Sequence, residues 1–128
     1  MEIAITNGIK ITVQTSYLAD DSRPAHNYFV HAYRITIENQ STEKVQLLRR
    51  HWYIYDSAGL IREVEGEGVV GEKPVLAPGD MHQYTSFCPQ MTEIGKMHGT
   101  FTMQRAKNRE LFKVNIPEFQ LIATPILN

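Results

Sequence analysis

The chain has 128 residues, with 13 Lys and Arg against 14 Asp and Glu, which gives a formal net charge of −1. This length suits one domain, and the balanced charge provides no basic field of the kind that nucleic-acid-binding proteins use. The one Cys excludes an internal disulfide framework and any all-cysteine metal site. Leu, Ile, Val and Phe make up about a quarter of the residues, which excludes wholesale disorder.

The N-terminus predicts no targeting signal. Residues Met1 to Asn7 contain neither a basic region nor a long apolar run. The longest apolar stretches are a few residues, far short of the roughly 20 that span a bilayer. We therefore expect a soluble, cytoplasmic protein that acts neither on membranes nor on nucleic acid.

The apolar residues recur with a period of two, as in half-buried β-strands. Ile9, Ile11 and Val13 alternate with polar residues, and a longer alternation follows from Phe29 to Glu38. A third strand is predicted from Val45 to Tyr55, with a β-bulge near 49–51 where the apolar phase changes. Further strands are predicted over 60–64, 81–87, 96–104 and 111–116.

Turn signals separate these strands and define the fold class. Residues 56–59 and 106–109 read as hairpin turns, and 77–80 as a Pro-Gly turn. About seven short strands without a helical stripe predict an all-β protein, an immunoglobulin- or fibronectin type III-like antiparallel β-sandwich. Residues 20–25 read as a loop, and the apolar tail over 122–127 should pack on the body or meet a second subunit.

A glycine motif lies between the predicted strands. Gly66, Gly68 and Gly71 match G-x-G-x-x-G, whose backbone N–H groups can cradle a phosphate. The dinucleotide-binding form needs a following helix, but Pro74 and Pro78 interrupt the next residues. The favoured interpretation is that these glycines form turns and bulges of a β-protein. A nest of N–H groups that binds an anion is the alternative.

Cationic side chains near this motif are candidate ligand groups. Arg50 could hold a carboxylate or phosphate bidentately, and Lys73 could add charge. Adjacent residues of a strand face opposite sides, so Arg49 and Arg50 should not clamp one ligand unless a β-bulge intervenes. The structural alternative places one arginine in solvent and pairs the other with an acid such as Glu63 or Glu65. The single Trp, Trp52, is predicted to be a core residue.

No catalytic set is apparent in the sequence. The five His residues lack zinc-ligand spacing, although adjacent strands could bring His31, His51 and His82 together. Cys88 has no nucleophile signature, and Ser86 lacks the glycines of a nucleophile elbow. We expect a protein that is not an enzyme and has no cofactor or bound metal.

Taken in order, these motifs resemble those of one family, the ApaG family. The matching pieces are Tyr33-x-Ile35-x-Ile37-x-Asn39, Arg50-His51-Trp52, Gly66-x-Gly68-Val69-Val70-Gly71-x-x-Pro74, Pro78-Gly79, Tyr84-Thr85-Ser86, Met97-x-Gly99 and Ile116-Pro117-x-Phe119. The resemblance runs from about Gly8 to Leu121 and implies a single ApaG domain over 1–128. It also implies a fibronectin type III-like sandwich, and an interaction role like that of ApaG domains attached to some F-box proteins and a polymerase-interacting protein. The bacterial family is associated with cobalt and magnesium efflux or resistance. For this chain the resemblance implies at most an indirect role in that process, through a partner.

Three functions follow as alternatives. The favoured one is a non-catalytic module that binds an unidentified protein partner, with a homodimer possible through an edge strand or the apolar tail. The second is a phosphate-, pyrophosphate- or nucleotide-binding domain that uses Gly66, Gly68, Gly71, Arg50 and Lys73, although Glu65, Glu67 and Glu72 should repel anions. The third is divalent-metal sensing through Asp20, Asp21 or Glu67 with one or more His.

Overall fold

The computed structural model describes residues 1–123, which form nine β-strands. Two short 3₁₀ turns, Ala19–Asp21 and Pro24–His26, precede the third strand. The strands are β1 (Glu2–Thr6), β2 (Ile9–Tyr17), β3 (Phe29–Asn39), β4 (Val45–Asp56), β5 (Ile61–Glu67), β6 (Val75–Leu76), β7 (Met81–Gln90), β8 (Ile94–Arg105) and β9 (Leu111–Ile122).

The strands pair into two antiparallel sheets that pack face to face. The first sheet has the order β1-β2-β3-β7, and the second has the order β5-β4-β8-β9, with β6 also paired to β4. The edges of the first sheet are therefore β1 and β7, and those of the second are β5 and β9. Alternate residues of each strand point between the sheets, because successive side chains of a strand face opposite sides.

The core consists of the inward residues of both sheets. Ile35 and Ile37 of the first sheet and Phe101 of the second are fully buried. Trp52 is also buried, with its ring 5.3 Å from Tyr33 and 5.8 Å from Phe119 between ring centroids. Trp52 thus joins the two sheets, which confirms its prediction as a core residue.

The predicted strands and hairpin turns are confirmed, with differences in detail. The bulge of β4 lies between Leu47 and Arg49, earlier than the predicted 49–51. β1 and β6 were not predicted, and residues 20–25, predicted as a loop, carry the 3₁₀ turns. The assignment of this sandwich to the fibronectin type III-like class stays a prediction. Of the predicted apolar tail, residues 124–127 lie outside the described residues.

The two long sides of the sandwich differ. On one side β1 lies against β9, where the Asn115 backbone N–H donates to Thr6 Oγ1 at 3.2 Å. On the other side the facing edges are β5 and β7, and a cleft lies between them. The sandwich is therefore closed along one side and open along the other. No helix within residues 1–123 is long and apolar enough to cross a membrane.

Candidate functional site

The open side of the sandwich forms a cleft of about 210 Å³, here called the β5–β7 cleft. Its walls are formed by residues of β4, β5 and β7, among them Arg50, Trp52, Arg62, Val64 and Cys88, with Phe87 at the rim on the outer face of β7. The register of the β4–β5 hairpin explains this set, because Arg62, Val64 and Gly66 lie opposite Ile54, Trp52 and Arg50. Residues two apart on a strand share a face, so these three positions of β5 all face the opposite sheet.

Arg50 lies over Gly66 at one end of the cleft. Its Nη1 donates to the backbone carbonyls of Glu67, at 2.9 Å, and Gly68, at 3.0 Å. A Cβ at Gly66 would come within 2.7 to 2.8 Å of the guanidinium. Because Gly66 has no side chain, the side chain of Arg50 can extend from β4 over β5 and place its guanidinium at the edge of the sheet.

The rest of the glycine motif forms a tight turn. The backbone N–H of Val69 donates to the Glu72 carbonyl at 2.8 Å, and that of Glu72 donates back at 3.0 Å. The Gly68 N–H donates to the Leu48 carbonyl, also at 2.8 Å. Gly68 has a φ of +62°, and a Cβ there would collide with the Glu72 carbonyl oxygen. These features match the interpretation of the glycines as turn residues.

Arg62 lies at the other end of the cleft. Its Nη2 donates to the Pro89 carbonyl at 2.7 Å and contacts Cys88 Sγ at 3.6 Å. The side chain thus reaches across from β5 to β7. Burial raises the pKa of the Cys88 thiol, and the nearby Arg62 charge opposes this only in part, which disfavours the nucleophilic thiolate.

Buried polar groups near the cleft lack partners in the described residues. The Trp52 indole Nε1 and the Tyr84 hydroxyl are both buried without a hydrogen-bond partner within residues 1–123. Burial raises the pKa of both Tyr84 and Tyr33, and the charge of Arg50 pulls each in the opposite direction. An unpaired buried donor costs on the order of 1–3 kcal/mol, so both groups would gain from an acceptor supplied by water or by a ligand.

An apolar pocket extends the cleft past Arg62. It has a volume of about 250 Å³ and shares Ile54, Arg62 and Pro89 with the β5–β7 cleft. Leu60 and Met91, at its rim, are 61% and 66% exposed. The open side therefore offers one elongated surface, which is cationic at Arg50 and Arg62 and mostly apolar between and beyond them, with Asp56 in the pocket past Arg62.

The outer face of the second sheet carries a different cluster. Each ring nitrogen of His51 faces a carboxylate oxygen, with Nε2 2.6 Å from Glu63 and Nδ1 3.0 Å from Glu65. His51 also stacks on Tyr53, which stacks on His98. Within residues 1–123, His51, Glu63 and Glu65 are the one group of three potential metal-ligating side chains.

The predicted site residues are partly brought together. Arg50 and Gly66 are in contact, but Lys73 pairs with Glu67 at 3.4 Å, as does Arg49 at 3.1 Å. An arginine pairs with an acid of β5, as the structural alternative expects, but the acid is Glu67 with Arg49, since Glu63 and Glu65 lie with His51. His31, His51 and His82 do not form a cluster of metal-ligating groups, nor do Asp20 and Asp21.

Sequence reasoning missed Arg62 and Val64 as residues of a site. The signal was present in the turn at 56–59, which fixes the β4–β5 register and places Arg62 and Gly66 on the inward face. A strand with arginine inward and glutamates outward is also typical of a sheet edge.

This architecture defines a two-sheet antiparallel β-sandwich with one open, cationic and apolar side. The chain belongs to the family of the ApaG domain, whose profile matches residues 19–105. It is 51% identical to a Brucella anthropi protein named Protein ApaG, over 92% of this chain and 90% of that protein. A Mesorhizobium japonicum protein of the same name is 52% identical over the same shares. The crystal structure of a Bordetella pertussis protein named ApaA is 39% identical, with a TM-score of 0.87, and the match covers 93% of this chain and 95% of that chain.

Proposed function

We propose that this protein is a non-catalytic binding module that receives an extended segment of a protein partner at the open side of its sandwich. The observation that carries the proposal is the pair of free edges, β5 and β7, on either side of a cleft. An edge strand presents unpaired N–H and C=O groups, which an incoming strand can satisfy. Every second side chain of that strand would then face the cleft.

The surface of the open side supports this use. Val64, whose side chain faces the cleft, is 38% exposed, and Phe87, beside the cleft on the outer face of β7, is 61% exposed. Exposed apolar side chains grouped beside a free strand edge are typical of surfaces that meet a partner. The opposite side of the sandwich offers less, because β1 and β9 already contact each other there.

The anion-binding alternative has less support from the loop geometry. The N–H groups of Gly68, Val69 and Glu72 donate to protein carbonyls, and Arg50 donates to carbonyls of the same loop. Lys73, the second predicted cation, already has an acidic neighbour, because its Nζ lies 3.4 Å from Glu67. Phosphate binding and the link to cobalt or magnesium stay predictions.

Photo-crosslinking at single positions tests the proposal. Val64 and Phe87 are replaced, one at a time, by benzoylphenylalanine in the full chain expressed in its own cells. We expect both positions to give the same crosslinked species of defined mass. Ile3 of β1 is the matched control, because it is half exposed on the first sheet's other edge. Equal crosslinking at Ile3, or none at Val64 and Phe87, would contradict the proposal.

A further inference from the structure

We propose that the segment received at the open side is acidic, and that it pairs with β5 so that two carboxylates meet Arg62 and Arg50 with an apolar side chain between them. This inference rests on the proposed function and specifies the charge and the side-chain pattern of the partner's segment. It starts from the charges of the cleft. Several cations within residues 1–123 form no ion pair, Arg34 among them, but Arg50 and Arg62 are the two that line the cleft, where each donates to backbone carbonyls and faces no carboxylate.

The spacing of β5 fixes the pattern. Arg62, Val64 and Gly66 occupy alternate positions on the inward face. The guanidinium of Arg50 fills the space that a side chain at Gly66 would take. Along β5 the cleft therefore presents cation, apolar side chain and cation. The two cations are separated by four residues, or roughly 13 Å of extended chain.

An extended segment paired with β5 matches this spacing. Its alternate side chains project to the same side about 6.7 Å apart. An acidic, an apolar and an acidic residue at positions i, i+2 and i+4 would then lie beside Arg62, Val64 and Gly66. Arginine has several N–H donors, so Arg50 and Arg62 can each bind a carboxylate while keeping a bond to a backbone carbonyl.

The outward face of β5 sets the register. Glu63 and Glu65 lie there beside His51, and Glu67 is the next outward residue. A segment shifted by one residue would turn its acids toward these glutamates, because a one-residue slip moves every side chain to the other face. Like charges directly opposite each other across a strand pair are destabilising. The face that attracts acids and the face that repels them thus lie on the same strand.

The same glutamates argue against a second copy of this chain as the occupant. If β5 paired antiparallel with β5 of another copy, centred on Val64, Glu63 of each copy would oppose Glu65 of the other. Each inward Arg62 would then lie opposite Gly66, beside the Arg50 of the other copy, and would gain no carboxylate. In this register a homodimer through β5 would bring like charges together on both faces of the joined sheet.

Two peptides of one composition test the inference. The probe is acetyl-Thr-Glu-Thr-Val-Thr-Glu-Thr-amide, and the control is acetyl-Glu-Thr-Thr-Val-Thr-Thr-Glu-amide, whose acids lie on the face opposite to its valine. Each peptide is titrated into the ¹⁵N-labelled full chain and followed by two-dimensional NMR. We expect the probe to bind at least tenfold more tightly than the control, with shifts centred on 61–67. We also expect its affinity to fall several-fold between 50 and 300 mM salt, because the contacts are ionic.

Variants identify the cations involved. Arg62→Gln should weaken binding of the probe about tenfold, and Arg62→Lys should restore most of it because the charge returns. Arg34→Gln is the matched control, since Arg34 is exposed on the outer face of the first sheet, and it should change affinity by less than twofold. Equal binding of the two peptides, shifts away from β5, or salt-independent binding would overturn the inference. No binding of the probe would also overturn it, while crosslinks at Val64 and Phe87 would still support the proposed function.

Discussion

Gly66 and Arg50 should be energetically coupled, and a double-mutant cycle can measure the coupling. In Gly66→Ala the new Cβ would displace the guanidinium from two backbone carbonyls. Bonds from a charged donor contribute about 1.5–3 kcal/mol each when shielded. These bonds are largely solvent-exposed, so we expect a loss of about 1–2 kcal/mol in total, partly offset by roughly 0.5 kcal/mol from replacing glycine in a strand.

The coupling appears when Arg50 is absent. In the Arg50→Met background, Gly66→Ala should have little effect or stabilise slightly, which gives a coupling energy of about 1–2 kcal/mol. Urea denaturation followed by far-UV circular dichroism measures all four proteins. Gly71→Ala is the control, because an alanine is strained at the φ of +77° of this position but no atom lies within 4 Å of the added Cβ. Its effect should be additive with Arg50→Met. If Gly66→Ala lowers the free energy of unfolding equally in both backgrounds, the position of the Arg50 guanidinium does not depend on the missing side chain at Gly66, and this explanation is refuted.

Two further changes test the core and its pH dependence. Gly99→Ala should destabilise the fold by about 3 kcal/mol in urea denaturation, because its Cβ would collide with the His51 backbone carbonyl of the adjacent strand. A loss under 1 kcal/mol would show that β8 can move away. Burial lowers the pKa of His31, so the unfolded chain takes up a proton first as the pH falls, and stability should decrease below about pH 6.5. Between pH 7.5 and 5.5, His31→Gln should lose less stability than the unaltered protein, and an equal loss would assign the effect to other groups.

The strands with one buried face could be predicted from the sequence because their alternation is strict. In β3, Tyr33, Ile35 and Ile37 are buried while Arg34 between them is exposed. β1 was not predicted because its side chains are only partly buried, and Ile3 is half exposed. The position of the β4 bulge could not be read from the pattern, since a phase change shows that an extra residue exists without showing which residue it is.

The candidate site was harder to predict because it depends on which strands become edges. In the sequence, Gly66 belongs to a motif that resembles phosphate-binding loops, whereas in the structure it lies in β5 beneath Arg50. The hairpin register could have shown that Arg50 faces Gly66. The openness between β5 and β7 could not be predicted, since it follows from the order of strands in two separate sheets.

The central claim is that a partner adds a strand to β5 at the open side of the sandwich. Amide hydrogen exchange of the full chain, alone and bound to the partner recovered by crosslinking at Val64, tests it most directly. We predict that amides within 61–67 exchange more slowly in the complex, because an added strand supplies their hydrogen bonds, while those of β1 are unchanged. Unchanged exchange in β5, or protection on β1 and β9 instead, would contradict the claim.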